Sequence, residues 1–145
     1  MLSLITKIIA FTSTAAIRTH LMNATSSCSS IDALAKNLVV RILPDPPIVN
    51  LQADLIFEYD LPGADITGGT INYNAVINNF FPSQSTDDLC ATRNPDSPCP
   101  IKGGGKKHID TGKSTFPDVQ SCSLTITWKN QDGLEILCAK LDYSF

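Results

Sequence analysis

The groups in this 145-residue chain best suited to covalent chemistry are five cysteines, at positions 28, 90, 99, 122 and 138. No two of them have the two-residue spacing of a zinc knuckle or a dithiol redox site, so they read as disulfide formers of an oxidising compartment. Cys90 and Cys99 flank a loop that contains Asn94, Pro95 and Pro98. A bridge there closes about ten residues and restricts the unfolded chain by about 3 kcal/mol. Cys28 precedes the first strand and Cys138 falls in the last, so a bridge between them ties the two ends together for roughly 5 kcal/mol on the same loop-entropy reasoning. The odd count leaves one thiol over. Cys122 shares its phase with Leu124 and Trp128, and reads as a buried, inert thiol rather than a reactive one.

Catalysis finds little to work with. The histidines are His20 and His108, the first inside the N-terminal apolar stretch, and no Ser or Cys lies in a nucleophile motif. Gly112, Lys113 and Ser114 look like the end of a phosphate loop, but Lys107 stands where the required upstream glycine belongs. No residue grouping has metal-ligand spacing, and no cofactor is implied. With 11 basic against 14 acidic residues and no aromatic-basic interleaving, nucleic acid is excluded as a partner class.

Residues 1–20, MLSLITKIIAFTSTAAIRTH, are mostly apolar, free of acidic groups and end near Ala15 and Ala16. They read as a signal peptide, or as an uncleaved apolar leader interrupted by Lys7, and are too short and broken for a transmembrane helix. Asn23, Ala24 and Thr25 form a glycosylation sequon, which agrees with a secretory route.

The elements that must position these residues are strands. From 51 to 61 the odd positions Leu51, Ala53, Leu55, Phe57, Tyr59 and Leu61 alternate with mainly polar ones, and Cys122, Leu124, Ile126 and Trp128 alternate with Ser123, Thr125, Thr127 and Lys129. Less regular strands are expected over 38–43, over 70–80 with Ile71, Tyr73, Ala75 and Ile77 in phase, and over 135–145 with Leu137, Ala139, Leu141 and Tyr143 in phase. Turn formers separate them, among them Pro46 and Pro47, Pro62 and Gly63, Gly103 to Gly105, and Asp132 and Gly133. Short alternating strands with no helical period between them predict an all-β antiparallel sandwich or barrel of one domain.

PDPP at 44–47, DLC at 88–90 and PCPIKGG at 98–104, followed by a Phe-Pro, a Trp-containing strand and a late cysteine, resemble the ML (MD-2-related lipid-recognition) domain family. The resemblance covers residues 28–145 and is closest to the phosphatidylglycerol/phosphatidylinositol transfer proteins, with Niemann-Pick type C2 sterol carriers as more distant relatives. It implies an immunoglobulin-like β-sandwich of two antiparallel sheets with a lipid cavity between them, and bridges Cys28–Cys138 and Cys90–Cys99. It further implies a non-enzymatic carrier of phospholipid or sterol that touches membranes transiently in a secreted or lumenal compartment; the alternatives are an accessory protein that presents lipid to a receptor or lipid-carrier partner, and a structural immunoglobulin-like module with a closed core and no transfer activity. Sterol carriers have a small bridged loop where this chain reads PDPPIVN at 44–50, and the missing cysteines favour phospholipid.

By position, Phe81 and Pro82 match a Phe-Pro of the sterol carriers, and Lys113, Phe116 and Pro117 match a Lys, an aromatic and a Pro at their pocket mouth. Gly112 stands where those carriers have an apolar side chain, which implies a wider mouth. The expected lipid contacts are thus Phe57, Tyr59, Tyr73, Ile77, Phe81, Pro82, Lys113, Phe116, Pro117, Leu124, Ile126 and Trp128, with Leu55 on the same inner face. Burying about sixteen methylenes at about 0.8 kcal/mol each is worth roughly 13 kcal/mol gross, before the cost of ordering the ligand. Lys106, Lys107, His108 and Lys113 are the groups placed to meet a head-group phosphate.

Overall fold

A computed structural model describes residues 21–144 of the chain; the leader expected over 1–20 lies outside them. Eight strands follow one another: β1 (Leu21–Ser27), β2 (Lys36–Leu43), β3 (Gln52–Leu61), β4 (Gly69–Ile77), β5 (Phe81–Asp88), β6 (Lys106–Thr115), β7 (Ser121–Asn130) and β8 (Glu135–Ser144). They form two antiparallel sheets, one in the order β1-β8-β7-β4-β5 and the other β2-β3-β6. The described residues contain no helix, and none long and apolar enough to cross a membrane.

Alternation decides which faces meet. On β3, Ala53, Leu55, Phe57, Tyr59 and Leu61 are buried, and on β7, Cys122, Ile126 and Trp128 are. Opposed residues of an antiparallel pair share a face. The register Ile71↔Trp128 and Tyr73↔Ile126, continued by Trp128↔Leu137 and Ile126↔Ala139, therefore carries one inner surface across β4, β7 and β8. β8 is buried on both faces from Ile136 to Ala139. The segment before β2 runs along this stretch: Cys28 and Ala35 donate backbone hydrogen bonds to the carbonyls of Cys138 and Ile136, and the Cys28–Cys138 disulfide fixes it there.

Three strands lie where alternation gave no signal. β1 pairs with β8 ahead of Cys28, with a shift in register at Asn23. The run expected over 70–80 instead turns back at Asn78 and Asn79, both at positive φ (52° and 64°), a conformation that asparagine tolerates better than most side chains. The chain then returns as β5, while β6 pairs with β3 along its whole length. β5 and β6 each form one edge of their sheet, opposite the β1 and β2 edges, and do not pair with each other.

Candidate functional site

The β5 and β6 edges explain where the sandwich is open. On β5 the residues opposite Ala75, Tyr73 and Ile71 are Ser83, Ser85 and Asp87. On β6 those opposite Phe57, Leu55 and Ala53 are Asp110, Gly112 and Ser114. Both edges thus turn small or polar groups toward the space between the sheets, and neither supplies the bulk that would fill it. The sheets' backbones approach most closely at the other side, along β1 and β2.

The space left is a cavity of about 330 Å³. Leu55 and Phe57 of β3 form one wall, and Ile71 and Tyr73 of β4 with Leu124, Ile126 and Trp128 of β7 form the other. Trp128 is held by aromatic contacts, 5.2 Å from the Phe57 ring and 6.1 Å from Tyr59 between centroids. The edge side is lined by Asp87 of β5, by Leu89, Thr92, Arg93 and Asn94 of the following loop, and by Asp110 to Ser114 of β6. That loop is closed by the Cys90–Cys99 disulfide.

At the loop's end of the cavity lies a charge pair that alternation did not reveal. The Arg93 side chain is 6% exposed and Asp110 12%, with Nη2 2.8 Å from Oδ1 and Nη1 3.1 Å from Oδ2. Arg93 Nε also donates to the Ser97 carbonyl, and the Tyr59 hydroxyl donates to Asp110 Oδ2 at 2.6 Å. Burial, and then the Asp110 carboxylate, push the Tyr59 phenol far above its ordinary range, so it stays a donor. Nothing in the spacing of Arg93 and Asp110 marks them as partners, since the pair forms only when the bridged loop folds over β6.

Among the expected contacts, Phe57, Tyr73, Lys113, Leu124, Ile126 and Trp128 are brought together as cavity lining, with Lys113 at the edge. Tyr59 is fully buried behind this wall, between Trp128 and the His108 ring. Ile77 packs against the core at the end of β4. Phe81 shares the inner face with Ile77 by register but is 64% exposed, and Pro82 beside it is exposed too. Phe116 is buried against the Tyr143 ring at 5.0 Å, and Pro117 is exposed next to it. These last five residues lie outside the cavity lining.

Of the basic groups considered for a head group, Lys113 ion-pairs with Asp54, Lys107 with Glu58, and a His108 ring nitrogen meets the Lys102 carbonyl. Lys107 holds the Glu58 carboxyl below its usual range, chiefly through their hydrogen bond. Cys122 is buried and free; beside it, Tyr143 is pushed upward by burial and then by the thiol. The described residues include no group of three or more side chains suited to hold a metal ion.

Residues 22–145 match the family model of the ML domain. Among solved structures, chicken MD-1 in complex with lipid IVa superposes with a TM-score of 0.61 at 15% identity, covering 87% of this chain and 95% of that one. A Niemann-Pick type C2 protein from the Japanese carpenter ant gives a TM-score of 0.59 at 14% identity, covering 82% of this chain and 96% of its own. No curated protein matches the sequence significantly.

Proposed function

The chain belongs to the ML domain family, and from that premise we propose that it carries a lipid between its sheets and exchanges it with membranes. The observation that supports this reading most directly is the cavity of about 330 Å³, walled by Leu55, Phe57, Ile71, Tyr73, Leu124, Ile126 and Trp128 and flanked by two edge strands that do not close. An apolar space of this kind is stabilised by a hydrocarbon chain, at about 0.8 kcal/mol per buried methylene. A structural module would gain by filling it.

Phospholipid is the preferred cargo and sterol the alternative. PDPPIVN at 44–50 lacks the bridged loop of the sterol carriers, and Lys113 stands at the cavity edge where a head group would emerge. Membrane contact falls to one end of the sandwich. Leu43 and Leu51 beside the β2–β3 connection, and Phe80 and Phe81 at the β4–β5 turn, are all more than half exposed. The connections share that end: Asn50 N–H donates to the Phe116 carbonyl, and the Asn78 side chain accepts from the Gln120 and Ser121 N–H groups. The two disulfides suit an oxidising lumen or the extracellular space.

Extraction and mass spectrometry of the natively purified protein tests carriage, and vesicle-to-vesicle transfer of phosphatidylinositol, phosphatidylglycerol and sterol, measured side by side, tests cargo. Co-purifying lipid and preferred transfer of one class are expected. Absence of any bound lipid together with no uptake from vesicles would refute the reading.

A further inference from the structure

The Arg93–Asp110 pair is placed where a lipid cavity has no evident use for it. Replacing such a pair by apolar side chains is often neutral or stabilising, so the pair is not explained by stability. The guanidinium has five N–H donors. Three are used, by the two Asp110 oxygens and the Ser97 carbonyl. Of the two that remain, one on each Nη, one is met by the Tyr59 oxygen, which leaves one N–H without a protein acceptor among the described residues, although the side chain is 6% exposed and lines the cavity. Buried donors of this kind are costly to leave unmatched.

The charge around them selects what can match them. Asp110 cancels the guanidinium charge through two contacts, and Asp87 belongs to the same wall. Lys113, the other cation of the lining, is taken by Asp54. A phosphate or carboxylate brought to Arg93 would add negative charge to a site whose positive charge is already spent, away from screening water. A neutral oxygen meets the free N–H group without that cost.

We propose that Arg93 anchors an uncharged oxygen acceptor of the bound lipid, an ester carbonyl or a hydroxyl, at the Cys90–Cys99 end of the cavity. The proposal rests on the carriage reading above. It sets the orientation of the cargo: the ester region lies at Arg93, chains run along the Phe57–Trp128 walls, and any anionic head group stays outside the Arg93 site.

The test is displacement of diphenylhexatriene, a fluorescent hydrocarbon without oxygen, by pentadecane, methyl dodecanoate and ionised dodecanoate. Differences in water solubility cancel when the ratios of displacement constants are compared between proteins. Relative to wild type, the ester-over-alkane ratio should fall about tenfold in the paired variant Arg93→Met with Asp110→Asn, as expected for one hydrogen bond to a charged group. Asp110→Asn alone keeps a polar partner for Tyr59 and leaves the guanidinium charge unbalanced. In it, dodecanoate should gain about tenfold over the ester, which decides the question even if the paired variant does not fold. Ratios unchanged in both variants would overturn the proposal while leaving carriage intact. A wild-type protein that takes up neither diphenylhexatriene nor phospholipid from vesicles would overturn the carriage reading, and the proposal with it.

Discussion

Gly112 offers a way to close the cavity without disturbing the fold. It pairs with Leu55 across β3 and β6, lies in the cavity lining, and a Cβ built on it meets nothing within 4 Å. Its φ is not in the left-handed region, so a side chain brings no backbone strain. Glycine within a strand costs roughly 0.5–1 kcal/mol relative to alanine, so Gly112→Leu should leave stability unchanged or raise it by about that much. The four added carbons occupy space that ligand methylenes would otherwise fill. At about 0.8 kcal/mol per methylene, the loss is about 3 kcal/mol of binding. This corresponds to a weakening of Kd by roughly a hundredfold. Trp128 is the chain's one tryptophan and lines the same cavity, so its fluorescence reports binding directly. Lipid titration followed by that signal, with a thermal melt of the same sample, separates the two effects. A Gly112→Leu protein that melts at or above the wild-type temperature and still binds with unchanged affinity would refute the cavity as the lipid site.

Three further outcomes follow from the packing. Tyr59 is raised by burial and the Asp110 carboxylate, so it stays protonated in the folded state while the unfolded chain ionises near pH 10. Its stabilisation is therefore complete below about pH 10 and is lost as pH rises, at up to about 1.4 kcal/mol per unit. Urea midpoints measured between about pH 9 and 11 should fall less steeply in Tyr59→Phe, and an identical slope would remove the Tyr59–Asp110 contact from the account. Loop entropy at a separation of 110 residues makes loss of the Cys28–Cys138 bridge cost about 5 kcal/mol, against about 3 for Cys90–Cys99 at a separation of 9. Denaturant unfolding of the two double-serine variants should preserve that order. Finally, Phe80→Asp with Phe81→Asp acts on groups 81% and 64% exposed, so lipid affinity should hold within about twofold while vesicle transfer slows several-fold; equal transfer rates would remove the β4–β5 turn from membrane contact.

What could be read in the sequence, and what could not, divides along the same physical line as the cavity itself. β3 and β7 declare themselves because Leu55, Phe57 and Tyr59, and Ile126 and Trp128, alternate large apolar groups with polar ones. They are central to the walls for the same reason. β5 and β6 give no such signal, because their inward positions hold Ser83, Ser85 and Asp87, and Asp110, Gly112 and Ser114. A strand is legible by hydrophobic period only when its inner side chains fill the space they face. These two leave that space to something else. The residues that open the slot are thus the ones that hide their strands. Arg93 and Asp110 were illegible for a second reason. Their partnership depends on the bridged loop returning across β6, and local sequence carries no trace of such a long-range contact. Their position at the end of the apolar walls is consequently the feature least explained by folding, and the one that bears most on how a lipid is oriented between the sheets.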